Sequence, residues 1–136
     1  YLGEYKPGDR SNSHITPTLF LDGDQVTLAI GAAGGSRIVT AVTQVAQRYF
    51  VQKHNLNQAL LLPRIYPFQD SLWIEDHQGV KDLNADLSPT SYPVKMIDQK
   101  ARFGRVHAIA YDSINKSWIG AADPDWEGTV ENYSSK

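Results

Sequence analysis

The sequence contains no cysteine, and this absence removes several kinds of chemistry at once. Disulfide bonds, thiolate metal sites and thiol nucleophiles all need a cysteine side chain, so none of them is expected in these residues. No run of apolar residues approaches the roughly 20 that a membrane helix needs, so no membrane span is predicted. The formal net charge is −2, which gives nucleic acid and anionic membranes no electrostatic reason to bind.

Methionine is also scarce, since Met96 is the only one and the sequence begins with tyrosine. We therefore expect the first residue to be a processing site or the boundary of a piece of a longer protein. A length of 136 residues fits one domain or one large part of a domain. The apolar fraction of 41% and the charged fraction of 21% are ordinary for a globular protein, so a usable core is expected.

Several segments carry strand and hairpin signals. Two β-prone runs, residues 18–21 and 25–30, flank Asp22-Gly23, a dipeptide that is typical of a β-hairpin. Residues 71–75 resemble a short strand. A second hairpin is predicted near the end of the chain, where residues 105–111 and 116–120 flank a turn.

Two helices are predicted between these strands. Apolar residues recur at helical spacing from Ile38 to Tyr49, which favours a helix capped by Ser36 and ending at about residue 52 or 53. A shorter helix is predicted over residues 56–61, before a proline, whereas residues 76–100 show no clear pattern. The order of the segments predicts an α+β fold in which an antiparallel sheet is packed with helices.

The junction between the second strand and the first helix contains two adjacent glycines, Gly34 and Gly35. The first N–H groups of a helix have no internal acceptor and lie at the positive end of its dipole, so two of them can bind an anion or an oxyanion. A tight structural connection is the other interpretation of the same residues. A phosphate-binding loop would need a lysine after the glycines, and a dinucleotide fingerprint would need a different glycine spacing, so neither is favoured.

The motif at this junction resembles one from a known family. Residues 31–38 read G-A-A-G-G-S-R-I and resemble the G-x-x-G-G-S-R-I motif of the γ-glutamyltranspeptidases. Other segments resemble that family in the same order and spacing. They are K-P-G at 6–8, S-H-I-T-P-T at 13–18, N-Q-A at 57–59, P-R at 63–64, G-R-V-H-A-I at 104–109 and G-A-A-D-P at 120–124.

This resemblance implies an N-terminal nucleophile hydrolase fold, a four-layer αββα sandwich, with residues 1–136 forming a C-terminal piece of the small subunit. In that family a precursor cleaves itself and exposes a threonine, which attacks a γ-glutamyl amide such as glutathione. The free α-amine serves as the base, and water or an amino acid then takes the acyl group. No cofactor is implied. The nucleophile is expected upstream of Tyr1, so the piece alone is expected to be inactive.

The resemblance also implies residue roles. The backbone N–H groups of Gly34 and Gly35 match the family's oxyanion hole. The family holds the substrate's α-carboxylate with two consecutive serines, of which the first matches Ser13 and the second is replaced by His14. A histidine can donate to a carboxylate but is bulkier than serine. An acylase or a polyglutamate-cleaving relative therefore stays open, as does a non-catalytic binding relative of the same fold.

The expected partners are a small γ-glutamyl substrate, a large subunit and the upstream part of the small subunit. Cutting the domain at this point is expected to uncover the helix face and the strand edges that pack on the missing part, so that the piece self-associates or is only marginally stable. The family resemblance suggests a periplasmic or extracellular location, which no residue of the chain shows by itself.

No metal site is predicted. The four histidines show no metal-ligand spacing. Residues 123–128 resemble the first half of a calcium loop, but position 12 of such a loop would be Ser134 rather than glutamate, so a solvated acidic turn is favoured. The histidines are His14, His54, His77 and His107.

Overall fold

The computed structural model describes residues 4, 6–76, 92–99, 102–125 and 127–131, which form seven strands and two α-helices. In chain order these are β1 (Thr18–Asp22), β2 (Gln25–Ala33), α1 (Ile38–Phe50), α2 (Leu56–Leu61), β3 (Ile65–Phe68), β4 (Ser71–Glu75), β5 (Val94–Ile97), β6 (Arg105–Asp112) and β7 (Ser117–Ala122).

The main sheet has four antiparallel strands in the order β1-β2-β6-β7. Its two hairpins are the ones that the sequence predicts, and Gly23 takes the positive φ of 58° that the first turn requires. Strand β2 lies in the middle of the sheet and alternates between its two faces. Leu28 and Ile30 point to the covered face and are buried, as are Val106 and Ala108 on β6.

The helices α1 and α2 cover one face of this sheet. The apolar stripe of α1 packs on β2 and β6, and α2 packs on β6 and β7. Helix α2 begins with a capping box, in which Gln58 N donates to Asn55 Oδ1 over 2.9 Å and Asn55 N donates to Gln58 Oε1 over 3.3 Å. The core consists of the buried residues that these elements contribute, which are Leu28, Ile30, Ile38, Ala41, Val42, Val45, Leu56, Ala59, Leu60, Val106, Ala108, Ala110 and Ala121.

A second, smaller sheet has the order β3-β4-β5. Strand β4 pairs antiparallel with β3 and parallel with β5, so this sheet is mixed rather than antiparallel. The side chain of Gln44 on α1 joins it to the main body, because its amide donates to the Ile65 carbonyl over 2.8 Å and accepts from the Ile65 N–H over 2.9 Å. The Gln44 side chain thus satisfies the backbone carbonyl and N–H of Ile65, as a neighbouring strand would.

Two details of the first helix differ from the sequence prediction. Ser36 is not the N-cap, because a short 3-10 turn at Gly35–Arg37 precedes α1 and Arg37 occupies the cap position. The Ser36 hydroxyl instead forms a hydrogen bond of 3.0 Å with the Tyr66 hydroxyl. Helix α1 also ends at Phe50, two or three residues earlier than predicted, before Lys53 adopts a positive φ of 61°. The α+β class itself is confirmed.

Candidate functional site

The glycine loop and the segments around it lie at one end of the main sheet. Strand β2 ends at Ala33 opposite the first residue of β6, and β1 begins opposite Ile30, near that same end. Strand β7 also ends there, since its last residue pairs with His107 near the start of β6. Because of this antiparallel register, one end of the sheet carries residues 13–17, 34–37, 104 and 123.

The two glycines of the loop adopt conformations that suit glycine. Gly34 has φ 141° and ψ 16°, and Gly35 has φ 63°. The Gly34 carbonyl accepts from the Arg37 N–H over 3.4 Å, which closes the 3-10 turn. Neither the Gly34 nor the Gly35 N–H takes part in the turn and cap hydrogen bonds formed among the described residues. The loop thus presents two adjacent amides before the N-terminus of α1.

Gly104 packs directly against this loop. A Cβ placed on Gly34 would lie 2.8 Å from the Gly104 Cα, closer than real atoms approach each other. Gly104 itself has φ 87°, and a Cβ there would lie 3.0 Å from that of Ala41 on α1. The backbones of two glycines therefore touch without intervening side chains, and Gly104 is held between the loop and the helix.

A buried ionic cluster lies on the other side of Gly104. Arg64 is 2% exposed, and its Nη1 donates to the Gly104 carbonyl over 2.7 Å. Its Nε and Nη2 donate to the two oxygens of Glu75 over 3.0 Å each, while its Nη1 also donates to Asp123 Oδ2 over 2.5 Å. The Asp123 carboxylate accepts in addition from the Val106 N–H over 2.9 Å. The cluster thus ties β4, the start of β6 and the end of β7 to one guanidinium.

The charge balance of this cluster involves a second arginine. Burial by itself pushes the pKa of Arg64 down, but hydrogen bonds and attraction from Glu75 and Asp123 outweigh it and hold that pKa above its ordinary value. Arg48 donates to carbonyls and not to a carboxylate, although Glu75 also attracts its charge. Burial, together with repulsion from Arg64, lowers the pKa of Arg48 to about 10. Its guanidinium donates to the carbonyls of residues 59 and 62 over 3.3 and 2.8 Å, and to the carbonyl of Pro63.

Strand β3 holds the 3-10 turn from another direction. Besides the bond between the Ser36 and Tyr66 hydroxyls, the Arg37 guanidinium lies 5.2 Å from the centre of the Tyr66 ring and 6.0 Å from that of Trp73. Such cation–π contacts contribute about 0.5–1 kcal/mol at partly exposed positions. The residues that follow Gly35 are thereby attached to the smaller sheet.

Ser13 and His14 lie in the extended segment that precedes β1. Ser13 is exposed, and its hydroxyl accepts weakly from the Ile15 N–H over 3.5 Å. His14 is partly buried, and its carbonyl accepts from the Thr16 hydroxyl over 2.9 Å. Among the described residues, no hydrogen bond joins either side chain to Gly34 or Gly35, so the two pairs lie at the same end of the sheet without a direct bond.

The carboxylate of Asp123 points into the ionic cluster. It bonds Arg64, the Val106 N–H and the Asp125 N–H, so it is not free to serve as the first ligand of a calcium loop. Within the described ranges, no group of three histidine or acidic side chains could hold a metal ion. Trp126, Ser134 and His77 lie outside the described residues.

The sequence motifs that contain Arg64 and Asp123 carry the family resemblance but predict no role for either residue. Glu75 is predicted only as the end of a strand. A signal was present, because a charged residue sits at the end of the apolar strand β4 and an arginine follows Pro63 within an apolar stretch. Pairing them requires knowledge of the fold, which the spacing alone does not give.

The face of the main sheet away from the helices is open and largely apolar. Leu19 is 61% exposed and Ile109 is 41% exposed, and they border a groove of about 830 Å³. Residues 127–131 cross part of this face, where Val130 lies against Gly120. No helix among the described residues is long and apolar enough to cross a membrane.

Comparison with known proteins identifies the family. The family model described as gamma-glutamyltranspeptidase matches residues 3–133. The glutathione hydrolase proenzyme of Bacillus subtilis is 28% identical over 133 residues, which cover 98% of this chain and 22% of that protein. The capsule biosynthesis protein CapD proenzyme of Bacillus anthracis is 30% identical over 128 residues, which cover 94% of this chain and 24% of that protein. The chain therefore spans about a quarter of the length of these relatives.

The fold agrees with a solved member of the family. A γ-glutamyltranspeptidase mutant from Helicobacter pylori superposes with a TM-score of 0.76 at 28% identity, over 90% of this chain and 66% of that one. The expected N-terminal nucleophile hydrolase fold is thereby confirmed. By its sequence and its fold, the chain belongs to the γ-glutamyltranspeptidase family.

Proposed function

We propose that this chain is the C-terminal part of the catalytic subunit of an amidohydrolase that cleaves γ-glutamyl amides and transfers the γ-glutamyl group to water or an amino acid. The observation that carries the proposal is the glycine loop. Gly34 and Gly35 leave a central strand with positive φ angles, precede a helix and have no turn or cap acceptor for their N–H groups among the described residues. Two such amides form a suitable oxyanion hole.

In the proposed reaction, the hydroxyl oxygen of an upstream threonine attacks the amide carbon of the substrate, and its proton passes to the free α-amine. The carbonyl oxygen becomes an oxyanion, which accepts hydrogen bonds from the Gly34 and Gly35 N–H groups. The intermediate then expels the amine with that proton and leaves a γ-glutamyl ester on the threonine. Water or an amino acid attacks this ester and regenerates the hydroxyl.

Ser13 and His14 are proposed to bind the α-carboxylate of the γ-glutamyl group. Both precede β1 at the end of the sheet where the glycine loop lies, and the His14 ring can donate from a ring nitrogen. Because His14 stands where the family has serine, hydrolysis of a non-glutamyl acyl amide is the second candidate function. The two candidates share the glycine loop and differ only in the acyl group that they accept.

The open face of the main sheet is proposed to pack on the upstream part of the same subunit. Leu19 and Ile109 leave apolar surface there that a folded protein normally covers. A large subunit is the second proposed partner, as in the relatives that are made as proenzymes. Without these partners, the isolated chain is expected to be inactive and to self-associate.

The first experiment is N-terminal sequencing of the purified full-length protein. A new chain that begins with threonine upstream of Tyr1 is the expected result. The processed protein is then assayed with a γ-glutamyl anilide and with a phenylacetyl anilide, with and without a dipeptide acceptor. Release of aniline from the first substrate supports the γ-glutamyl activity, and release from the second alone supports the acylase.

A precursor that stays uncleaved and releases no aniline would overturn both candidates. The chain would then serve as a non-catalytic binding relative, and the glycine loop would be a structural turn. A structure of the processed protein with a covalent substrate analogue gives a separate check. The Gly34 and Gly35 N–H groups should lie about 3 Å from the former carbonyl oxygen, and amides that point elsewhere would remove their assigned role.

A further inference from the structure

Arg64 joins segments that are far apart in the sequence and that meet beside the glycine loop. Its guanidinium uses one edge for both oxygens of Glu75, while Nη1 donates to Asp123 and to the Gly104 carbonyl. All three charged residues are less than 5% exposed. Because the paired bonds to Glu75 fix the plane of the guanidinium, they also fix the direction of its bond to Gly104.

Gly104 is placed to transmit this constraint to the loop. Its carbonyl bonds Arg64, and its Cα lies where a Cβ on Gly34 would be 2.8 Å away. Ala41 on α1 blocks it from another side, at 3.0 Å from a Cβ on Gly104. Protein interiors are packed as densely as crystals, so a displaced Gly104 must displace Gly34 as well.

We propose that Arg64 is a positioning residue that sets the Gly34 amide through the Gly104 carbonyl, with Glu75 and Asp123 holding its guanidinium in place. This inference rests on the proposed function, because it concerns the oxyanion hole of that reaction. An oxyanion donor is effective only when its geometry is preorganised, and a displacement of about 1 Å can reduce a rate about 10²-fold. Arg64 itself does not touch the substrate.

Arg48 offers a matched control in the same chain. It is a second buried arginine, 8% exposed, that bonds three backbone carbonyls. Those carbonyls belong to α2 and the residues just after it, up to Pro63 beside Arg64, and none belongs to the glycine loop or to Gly104. Removal of Arg48 should therefore disturb the protein without moving the Gly34 amide.

The test compares Arg64→Met with Arg48→Met in the full-length, self-processed protein. Methionine keeps an unbranched side chain and removes the charge and the donors. Hydrolysis of γ-glutamyl-4-nitroanilide is measured, with rates expressed per mature active site. We expect kcat of Arg64→Met to fall by about 10²–10³, the effect of losing one oxyanion donor, while KM changes by less than about threefold. For Arg48→Met, both constants should stay within about threefold of the wild type.

Lysine variants keep the test decisive if Arg64→Met does not fold or mature. Arg64→Lys retains the cation but cannot hold two carboxylates and a carbonyl with one ammonium group. We expect its kcat to lie between those of the wild type and Arg64→Met, about tenfold below the wild type, with KM unchanged. Arg48→Lys should have the kcat of the wild type.

Two results would overturn the inference while the proposed function stands. One is an active wild type whose Arg64 variants keep the wild-type kcat per mature site. The other is an equal loss in the Arg64 and Arg48 variants, which would make Arg64 an ordinary part of the folded framework. A processed wild-type protein that hydrolyses no amide would overturn the proposed function and this inference together.

Discussion

The two buried arginines, Arg48 and Arg64, show how differently one residue type can act within a single fold. Arg48 bonds only carbonyls, and its bonds span 11 to 15 residues of sequence. Arg64 bonds two carboxylates and a carbonyl, and its bonds span 11, 40 and 59 residues. Arg48 therefore attaches α1 to the end of α2, whereas Arg64 attaches separate elements to the end of the sheet where the glycine loop lies.

The pKa values of the two side chains reflect this difference. Burial lowers the pKa of Arg48, and repulsion from Arg64 adds to this effect against a smaller attraction from Glu75. Hydrogen bonds and attraction from Glu75 and Asp123 instead raise the pKa of Arg64 above its ordinary value. A buried cation that donates only to carbonyls can be replaced by an apolar side chain with a modest loss of stability. A buried cation with two carboxylates cannot be replaced in this way, because its loss leaves two uncompensated charges. Substitutions at Asp123, a partner of Arg64, and at Arg48 should therefore differ in their effect on stability.

The largest effect is expected at Asp123. Asp123→Asn keeps the shape of the side chain but leaves Arg64 with a single carboxylate and turns an amide N–H₂ toward donors. Breaking a buried pair in this way typically destabilises by about 3–5 kcal/mol. The free energy of unfolding, measured by urea denaturation of the full-length protein, checks this value. Asp24→Asn, which removes the same charge from an exposed turn, is the control and should change it by less than about 0.5 kcal/mol. A loss below about 1 kcal/mol at Asp123 would show that the cluster contributes little to stability.

A smaller effect is expected at Arg48. Arg48→Met leaves three carbonyls without their donor, but it also removes a cation that burial disfavours. These opposing changes should leave a net loss of about 1–2 kcal/mol. The same urea denaturation measures this loss of stability. Gln52 is exposed and lies two residues after α1, so Gln52→Met controls for the added methionine. A loss as large as that of Asp123→Asn would contradict the distinction between the two arginines.

The parts of the fold that could be predicted from the sequence are those with local signals. The two hairpins follow from short turns between β-prone runs, and the two helices follow from apolar spacing and from Pro63. Strand β3 was missed because it contains Pro67, which argues against a strand unless the strand lies at an edge, as β3 does. Strand β5 has four residues and pairs in parallel with β4, so its pairing depends on contacts beyond the reach of local patterns.

The candidate site also contains one part with a local sequence signal and one part without such a signal. Gly34 and Gly35 could be found from the sequence because adjacent glycines between a strand and a helix are a local feature. The Arg64 cluster could not, because its partners lie up to 59 residues away and only the sheet register brings them together. Ser36 was assigned to the helix N-cap because the sequence gives no sign of the 3-10 turn that intervenes. Long-range contacts thus support a loop that the sequence identifies locally.

The smallest effect is expected at Asp112, the last residue of β6, which is partly exposed beside the turn to β7. Hydrogen bonds from the side chain and N–H of Asn115, and then from the N–H of Ile114, lower the pKa of Asp112 below 3.8. A carboxylate with a lowered pKa in the folded state contributes stability above its unfolded pKa, and this contribution disappears as the pH falls through the folded value. The stabilisation should therefore be complete above about pH 5 and decline below 3.8.

Asp112→Asn keeps Oδ1 as the acceptor for the Ile114 and Asn115 N–H groups, and it removes the charge and the acceptor of the Asn115 side-chain amide. Deuterium exchange of the peptide that spans this turn, followed by mass spectrometry, reports the local protection. The wild type should be slightly more protected than Asp112→Asn at pH 6, and the two should converge as the pH falls through the lowered pKa of Asp112, because both side chains then become neutral. A difference that persists at low pH would assign the effect to the shape of the turn. A difference that disappears at low pH would show that the Asp112 charge stabilises only its own turn. Asp112 would then differ from Arg48 and Arg64, whose hydrogen bonds connect separate elements of the fold.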